Sequence, residues 1–312
     1  MPGKENPDIL VVGSINTDMM VRTKRMPAPG ETISGKNFQC SGGGKGANQA
    51  IAASRLGGNV TMIGRVGDDH LGTVRLEELA AEKINIDNVM ITDQTPSGIG
   101  MIIVDSRGEN TIVVAGGANL MVTPDDIYGA EECFRKTDFL LLQMEIPTPA
   151  IRAAKDLANR HNCRIVLDPS PANQFPEELY KVETITPNLS EAQSLSGKNS
   201  HEEERMDKIM ASELIDRGAK QVVLKLGSRG SLVICNDGHM YRLKPFNIDP
   251  VDSTGAGDTF TAALTVALGR GSSIHEAAIF ANAAGALACT KYGAQASMPD
   301  FMEVEILIRD QS

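Results

Sequence analysis

The chain has 312 residues, 41% of them hydrophobic and 22% charged, which is typical of a globular protein with a large core. Its formal net charge of −10 argues against a nucleic-acid-binding surface, because phosphate backbones require a basic face. No apolar run approaches the length of about 18 residues that a membrane-spanning helix needs.

The cysteines and histidines carry no metal or disulfide pattern. The five cysteines are scattered without a CxxC pair, and the five histidines form no HxH or HExxH cluster. We therefore expect free thiols in a reducing compartment and no zinc site. The polar N-terminus has no secretory apolar core, so a cytoplasmic location is expected, with neither a membrane nor a nucleic acid as partner.

The first predicted strand leads into a polar loop. Residues 9–12 are a short apolar run ended by Gly13, which predicts a buried strand. The following loop places Asn16 and Asp18 just past the carboxyl end of that strand, where open α/β sheets bind ligands. An Asx turn that satisfies its own backbone explains the same two side chains.

Two separate parts of the chain have the pattern of half-exposed strands, unlike the interior of a parallel sheet. These strands are predicted at 19–22, 32–39, 98–104 and 111–114. We predict that they form one small sheet, built from about residues 19–40 and 97–115. A sheet lying over a strand-end cleft would act as a lid.

A glycine-rich segment, Ser41-Gly-Gly-Gly-Lys-Gly-Ala-Asn48, opens a helix predicted to run to about Leu56. Its glycines permit close backbone approach to a ligand. The spacing of a Walker A loop is absent. Gly42, Gly44 and Ala47 match the G-x-G-x-x-A dinucleotide fingerprint, but no clean buried strand precedes them. A surface turn with a solvated lysine is the alternative, which the polar Asn48 one turn later disfavours.

Beyond residue 58, predicted strands and helices alternate. This alternation indicates right-handed βαβ crossovers and an α/β, Rossmann-like fold, with a mostly parallel central sheet covered by helices on both faces. We expect one domain over residues 1–312. The strands are predicted at 60–63, 139–143, 164–167, 221–226 and 232–235. The helices are predicted at 71–82, 124–133, 148–160, 203–217 and 274–291.

Three more strand ends carry polar groups. Glu145 follows one predicted strand, Asn188 and Glu191 follow another, and the segment 225–230 follows a third. A solvated loop acid, a helix capping box and a hairpin turn are the ordinary explanations of these groups. Together, however, they surround one edge of the predicted sheet.

The segment Gly255-Ala-Gly-Asp258 precedes the apolar run 260–268, an order that predicts a tight loop leading into a helix. Free amides at such a helix start suit a phosphate. A carboxylate in the same place is useful if it takes a proton from a hydroxyl while the amides hold phosphoryl charge. Otherwise Asp258 is a first-turn acid favoured by the helix dipole.

The ordered set of motifs resembles the ribokinase branch of the PfkB carbohydrate kinases, from about residue 8 to 309. The motifs are Gly13-Ser-Ile-Asn-Thr-Asp18, Gly43-Gly-Lys-Gly-Ala-Asn48, Gln143-Met-Glu145, Asn188-x-x-Glu191, Leu226-Gly-Ser-Arg-Gly230 and Asp252-Ser-Thr-Gly-Ala-Gly-Asp258. The resemblance implies an ATP-dependent sugar kinase, with sugar and ATP as its small-molecule partners. It also implies a homodimer formed through the lid.

By position, the resemblance makes Asp258 the base that deprotonates the sugar hydroxyl, with the amides of Gly255, Ala256 and Gly257 as the anion hole. The residues implied to hold sugar hydroxyls are Asn16, Asp18, Gly44, Lys45, Asn48 and Glu145. Those implied to line the ATP site are Asn188, Lys225, Gly227, Ser228, Gly230, Gly257 and Asn282. Glu191 would position Mg²⁺ through water. A monovalent cation, K⁺, would be held by Asp252, Thr254, Ala288, Lys291, Gly293 and Ser297.

The sequence departs from the family pattern at three places. Ser253 stands where the signature usually has Thr, which keeps the hydroxyl. Gly42 replaces an aromatic residue that often precedes Gly-Gly-Lys. The segment Asp168-Pro-Ser-Pro171 varies one that is frequently written with Asn and Ala, and we assign it no role.

The activity that the resemblance implies is phosphorylation of D-ribose at its 5-hydroxyl, since Asn16 can bond to a sugar 2-hydroxyl. Another sugar or nucleoside kinase of the family, acting on deoxyribose, a hexose or a nucleoside, is the first alternative. A nucleoside base would need an apolar or aromatic pocket, and aromatics make up 4% of the chain. Two different functional classes also fit part of the pattern. One is a non-catalytic sugar-binding protein, and the second is an NAD-dependent oxidoreductase, which depends on the Gly42 match.

Overall fold

A computed structural model describes residues 3–172, 175–198 and 204–311. The strands, in chain order, are β1 (Asp8–Val12), β2 (Asn16–Arg22), β3 (Lys36–Gly43), β4 (Asn59–Gly67), β5 (Asn85–Thr92), β6 (Gly98–Val104), β7 (Asn110–Ala115), β8 (Phe139–Leu142), β9 (Arg164–Leu167), β10 (Thr184–Ile185), β11 (Gln221–Lys225), β12 (Ser231–Cys235) and β13 (Met240–Leu243). The helices are α1 (Lys45–Arg55), α2 (His70–Ala81), α3 (Pro124–Gly129), α4 (Glu131–Lys136), α5 (Thr148–His161), α6 (Leu189–Ser196), α7 (Glu204–Asp216), α8 (Ala256–Gly269), α9 (Ile274–Ala288), α10 (Ala294–Ser297) and α11 (Phe301–Gln311).

In the described ranges, nine strands form one sheet in the order β13-β12-β11-β10-β9-β8-β1-β4-β5. The pairings from β11 through β5 are parallel, and β12 and β13 add antiparallel strands at one edge. Successive residues of β1 point to opposite faces: Ile9 and Val11 join one apolar cluster, whereas Leu10 and Val12 join the other. The predicted sheet with helices on both faces is confirmed.

A second, four-stranded sheet has the order β3-β2-β6-β7. It is assembled from two separate parts of the chain, because β2 pairs antiparallel with β3 and parallel with β6. Its outer strands present apolar side chains to solvent, with Phe38 67% exposed and Val113 63% exposed. The predicted small sheet therefore exists.

Several local predictions need correction. Asn16 and Asp18 do not lie in a loop, since both belong to strand β2 of the small sheet. The strand predicted at 32–39 begins at Lys36, because a turn closed by the Glu31 amide and the Ala28 carbonyl precedes it. The helix predicted at 124–133 is two helices that meet at Ala130.

The start predicted for one helix at residue 203 lies outside the described residues, and the described part of that helix is α7. Strands β5 and β13 and helices α10 and α11 were not predicted, whereas β10 and α6 were implied only by the strand end and the capping box at Asn188. Among the described helices, none combines the length and the apolar character that crossing a bilayer requires.

Candidate active site

Neighbouring parallel strands of the large sheet end in polar residues along one edge. Ser14 follows β1, Glu145 follows β8, Asp168 follows β9 and Asn188 follows β10, and Lys225 ends β11. The carboxyl ends of parallel strands meet at one edge of a sheet, which is where α/β folds bind ligands. The strand order therefore confirms that these strand ends lie along one edge of the sheet, as predicted.

Asp258 lies at the start of α8, directly behind this edge. Gly255 caps the helix with φ of 77°, a left-handed conformation that favours glycine. Asp258 is 6% exposed, and Asn48 donates to its Oδ2 at 2.9 Å while Gln49 donates to its Oδ1 at 3.2 Å. An acid that only complements the helix dipole would face solvent, so this buried carboxylate, held on both oxygens, has another role.

The start of α8 also presents backbone amides. The Ala256 amide donates to the Ser253 carbonyl at 3.2 Å, a long bond within the loop. The Gly257 amide belongs to the same first turn, where amides have no partner inside the helix. A group with negative charge placed here would meet the positive end of the helix beside a carboxylate.

Lys45 lies opposite Asp258. Its Nζ is 4.0 Å from Asp258 Oδ1, and its backbone amide donates to Glu145 Oε2 at 3.0 Å. Burial opposes the charge on Lys45, but nearby carboxylates, that of Asp258 foremost, outweigh it and raise the pKa of Lys45 above its ordinary value. The ammonium therefore stays protonated beside Asp258 at physiological pH.

Glycines allow the backbone to approach closely at this point. Gly44 has φ of 86°, and a Cβ there would lie 2.7 Å from the amide nitrogen of Asn16. The segment from Gly42 to Ala47 begins inside β3 of the small sheet, which ends at Gly43, and does not follow a central strand of the large sheet. It is therefore not a dinucleotide-binding turn, and the oxidoreductase alternative loses its support.

A side chain at position 42 would contact Gln295. A Cβ at this position would lie 2.0 Å from the side-chain oxygen of Gln295, so the aromatic residue that the family often carries would require the Gln295 side chain to move. Gln295 in turn donates to Asn48 Oδ1 at 3.1 Å, and this fixes the orientation of the Asn48 amide. Sequence reasoning assigned no role to Gln295.

Asn16 and Asp18 face the same space from strand β2. Asp18 is partly exposed, and its pKa is raised from 3.8 to about 6 by burial first, and then by the charges of Glu145 and Asp258. Glu145 is tied to the edge by the hydroxyl of Ser14, which donates to its Oε2. Three carboxylates and one ammonium thus surround a space suited to a molecule with several hydroxyl groups.

Asn119 was not predicted, and it supports Asn16. Its side chain accepts from the Ile15 amide at 2.8 Å and donates to Asn16 Oδ1 at 2.7 Å. Both residues are buried, with Asn119 1% exposed and Asn16 4% exposed. This contact leaves the Asn16 amide group to donate to a ligand. Asn119 is more than a hundred residues from Asn16 in sequence, so local patterns gave no signal.

The predicted nucleotide-side residues also assemble. Asn188 and Lys225 form a bridge between the ends of β10 and β11, and the Gly227–Arg229 turn joins β11 to β12 as a hairpin. Asn282 lies on α9, one turn before Gly285, which packs against the Ala256 carbonyl at the start of α8. The Asn282 side chain donates to the Lys244 carbonyl at 3.5 Å.

Asn188 and Glu191 form the capping box of α6 that the sequence pattern allowed. The Glu191 carboxylate accepts from the amide and side chain of Asn188, both at 2.8 Å. Each oxygen keeps a further lone pair, so the carboxylate can also accept from a water molecule of a hydrated magnesium ion. Within the described ranges, no three His, Cys, Asp or Glu side chains cluster as a metal site.

The residues predicted to bind a monovalent cation come from three segments that hydrogen bonds hold together. The Cys289 carbonyl accepts from the amide of Asp252 at 3.2 Å, and Asp252 accepts from the amides of Thr254 and Gly293, both at 3.0 Å. Ser297 donates to the Ala294 carbonyl in α10. Burial opposes the Asp252 charge, but these amides outweigh it and lower the pKa of Asp252.

The three segments predicted to hold the monovalent cation could contribute backbone carbonyls to it. Ala288 ends α9, and the carbonyl of the next residue, Cys289, accepts from the Asp252 amide at 3.2 Å. The positively charged Lys291 side chain pairs with Glu303 at 3.2 Å. The backbone carbonyl of Lys291 is therefore the group of this residue that suits a cation. Carbonyl oxygens are the ligands that potassium sites use.

A further buried network was missed. Gln143 donates to Gln49 Oε1 at 2.7 Å, Gln49 donates to Asp168 Oδ2 at 3.2 Å, and Lys225 donates to the same oxygen at 3.2 Å. Asp168 is 1% exposed. Gln143 opens the motif Gln143-Met-Glu145, and Gln49 directly follows the glycine-rich motif that ends at Asn48. For Asp168, the available signal was a buried position directly after a strand.

Known proteins resemble this chain over most of its length. Residues 6–300 match the profile of the pfkB family carbohydrate kinases. The ribokinase of Bacillus subtilis is 39% identical over 96% of this chain and 99% of its own. A bifunctional ribokinase/ribose-5-phosphate isomerase A of Fructilactobacillus sanfranciscensis is 40% identical over 93% of this chain, which spans 54% of that protein's length.

Solved structures show the same fold. The structure of Arabidopsis thaliana ribokinase complexed with ribose and ATP superposes with a TM-score of 0.89 at 34% identity, covering 97% of this chain and 99% of that one. The family profile covers far more than half of the chain, and the similarity extends over the small sheet and the strand-end residues alike. The chain belongs to the pfkB family of carbohydrate kinases.

Proposed function

We propose that the protein transfers the γ-phosphoryl group of ATP to the 5-hydroxyl of D-ribose, giving ribose 5-phosphate and ADP. The observation that carries the proposal is the position of Asp258, a buried carboxylate at the start of α8 between hydroxyl-binding and nucleotide-side residues. Similarity to the Bacillus subtilis ribokinase along both whole chains supports ribose as the sugar.

Asp258 would act as the general base. Asn48 and Gln49 donate to its two oxygens and hold the carboxylate in place. The sugar hydroxyl gives its proton to Asp258 as its oxygen attacks the γ-phosphorus, and ADP leaves. The amides of Gly255, Ala256 and Gly257 would stabilise the negative charge that develops on the phosphoryl group. Such charge stabilisation supplies much of the rate enhancement in phosphoryl transfer.

The sugar would be held from two sides. Asn16 and Asp18 contribute from the small sheet, while Lys45, Asn48 and Glu145 contribute from the large sheet and α1. Gly44 allows the sugar to approach the backbone. A sugar that lacks one hydroxyl leaves a buried polar group unpaired, at a cost of about 1–3 kcal/mol.

The nucleotide would lie along the ends of β10 and β11, with its adenosine part towards Asn282. The residues for this site are Asn188, Lys225, Gly227, Ser228, Gly230 and Gly257. Mg²⁺, held by Glu191 through water, would neutralise phosphate charge when bound. A monovalent cation, K⁺, at Asp252, Thr254, Ala288, Lys291, Gly293 and Ser297 would stabilise the loop before Gly255.

The small sheet, about residues 19–40 and 97–115, would serve as a lid within a single domain spanning 1–312. Its exposed apolar side chains, Phe38, Met101, Ile112, Val113 and Val114, support a homodimer formed through the lid. The five free cysteines support a reducing location such as the cytoplasm. Val113→Glu should convert a dimer to a monomer by light scattering, and a monomeric parent protein would contradict the dimer.

The function is tested by ADP release over a panel of pentoses, hexoses and nucleosides. Ribose should give the highest kcat/KM, and product analysis should place the phosphate on the 5-hydroxyl. Asp258→Asn should lower kcat by about 10²–10⁴-fold without loss of ATP binding. The matched control is Glu276→Gln, a first-turn acid on α9 that is exposed and should leave kcat unchanged.

Near-normal turnover of Asp258→Asn would remove Asp258 as the base. The choice between ribose and deoxyribose is tested by Asn16→Met. If Asn16 donates to the 2-hydroxyl, this substitution should lower the ribose/deoxyribose ratio of kcat/KM. An unchanged ratio would contradict that role, and a wild-type preference for deoxyribose would favour the family alternative.

A further inference from the structure

A lysine–carboxylate pair is buried beside the start of α8. Lys225 Nζ lies 3.2 Å from Asp168 Oδ2, and the two side chains are 11% and 2% exposed. Strands β9 and β11 flank β10 in the sheet, so the pair bridges two strand ends that are not direct neighbours. The family motifs gave Asp168 no role.

The ammonium of Lys225 is next to the first turn of α8. It lies 3.5 Å from Thr261 Oγ1, whose hydroxyl donates to the Gly257 carbonyl at 3.1 Å. A Cβ placed on Gly257 would be 3.6 Å from Lys225 Nζ. The ammonium therefore lies within contact distance of the first turn of α8. The cation borders the place where phosphoryl charge would develop.

Stability does not explain the pair. Two buried charges lose their hydration, and replacing such a pair with apolar residues of similar size is often neutral or stabilising. Asp168 Oδ1 accepts no hydrogen bond from the described residues, so even the carboxylate is incompletely satisfied. A partner that needs the ammonium is a better reason for keeping both charges.

The pair is coupled to the base through one amide. Gln49 Nε2 donates to Asp168 Oδ2 and to Asp258 Oδ1, both at 3.2 Å. Gln143 holds the other end of Gln49 at 2.7 Å. The ammonium and the catalytic carboxylate are thus separated by Asp168 and one glutamine side chain. A group bound between the Lys225 ammonium and the sugar hydroxyl that faces Asp258 would contact both. In the proposed reaction, that group is the phosphoryl group being transferred.

We propose that Lys225 contacts the γ-phosphoryl group during transfer and that Asp168 is the positioning residue that holds it there. The inference rests on the proposed kinase function. The hydroxyl oxygen bonds to the γ-phosphorus, the bond from that phosphorus to the β,γ-bridging oxygen breaks, and the hydroxyl proton goes to Asp258. Lys225 transfers no proton in this step and supplies positive charge next to the phosphoryl group.

The first test needs no sugar, and so it remains valid if the sugar assignment fails. Calorimetry measures the Kd of the β,γ-imido analogue of ATP and of ADP for the wild-type protein and Lys225→Met. The analogue should lose at least tenfold in affinity, while ADP changes by less than threefold. Lys220→Met is the control: this lysine precedes the same strand, pairs with Glu183 at 2.8 Å and is 63% exposed.

Equal losses for both nucleotides would place Lys225 on the β-phosphate or in a structural role, and no loss would remove it from the site. Either result overturns the proposal, whereas failure of ribose phosphorylation by the wild-type protein would overturn the proposed function instead.

The second test separates positioning from folding. Asp168→Asn and Lys225→Met should each lower kcat by about a hundredfold or more, with the KM for sugar changing by less than threefold. Each single variant leaves one buried charge unpaired, so thermal stability should fall as well. The double variant removes both charges, and it should recover stability without recovering kcat. Recovery of both together would show that the pair is structural and would refute the assignment.

Discussion

The raised pKa of Asp18 predicts that the kcat/KM for the sugar depends on pH, and one substitution can isolate this dependence. Burial and the charges of Glu145 and Asp258 raise this pKa from 3.8 to about 6. If the ionised carboxylate accepts from a sugar hydroxyl, the active fraction of the free enzyme is about nine-tenths at pH 7 and about one-tenth at pH 5. The kcat/KM for ribose, which reports the free enzyme, should therefore fall about tenfold over that range.

Asp18→Asn removes this titration. The variant should have a lower kcat/KM at pH 7, and the ratio of wild-type to variant kcat/KM should fall about tenfold between pH 7 and pH 5, with a midpoint near 6. Taking this ratio at saturating MgATP cancels titrations that the two proteins share, including that of ATP. Ribose binding without ATP at pH 6 should also release about half a proton, measured by calorimetry in two buffers.

Stability should change in the opposite sense. A carboxyl whose folded pKa is raised binds more protons in the folded state, so its contribution to stability is present in acid and is lost as the pH rises through about 6. Asp18→Asn should then be more stable than wild type at pH 8, by on the order of 2–3 kcal/mol. The difference should shrink as the pH falls and vanish near 4. Identical pH dependence of the two proteins in both measurements would refute the reasoning.

Three further substitutions test the supports of the site. Asn119→Ala leaves the buried Ile15 amide unpaired and should cost about 1–3 kcal/mol in chemical denaturation while raising the KM for ribose. Gly44→Ala places a Cβ 2.7 Å from the Asn16 amide nitrogen at a φ of 86°, so the melting temperature and the activity should both fall; a fully active, stable variant would contradict this. Asp252→Asn weakens the contacts to the Thr254 and Gly293 amides and should raise the K⁺ concentration needed for half-maximal rate, an effect that a K⁺-independent enzyme would not show.

The architecture was predictable because it follows from periodic patterns. The continuous apolar runs that became β1, β8 and β9 can only be buried on both faces, and the glycine before Asp258 marks a helix start. Asp168 and Asn119 were not found, because their importance depends on contacts made by distant segments. Gln49 directly follows the glycine-rich motif, but sequence does not show that its amide joins two carboxylates.

Strand assignments failed where tertiary pairing outweighs local pattern. Strand β10 is two residues long, and it exists because β9 and β11 supply partners on both sides. Asn16 and Asp18 were assigned to a loop since the chain leaves the large sheet at Gly13. Pairing with β3 and β6 converts that segment into the central part of the small sheet.

That placement has a consequence for how the enzyme would tell sugars apart. Asn16 and Asp18 belong to the small sheet, whereas Asn48 and Asp258 belong to helices packed on the large one. A sugar that is hydrogen-bonded to both pairs of residues would connect the two sheets. The bound sugar would then supply part of the free energy that holds the small sheet against the large one. A sugar with one hydroxyl missing or inverted makes a weaker connection, and it shields the reacting hydroxyl from water less completely. Selectivity between sugars would then appear in kcat as well as in affinity. ATP hydrolysis would stay slow until the correct sugar binds to both sheets.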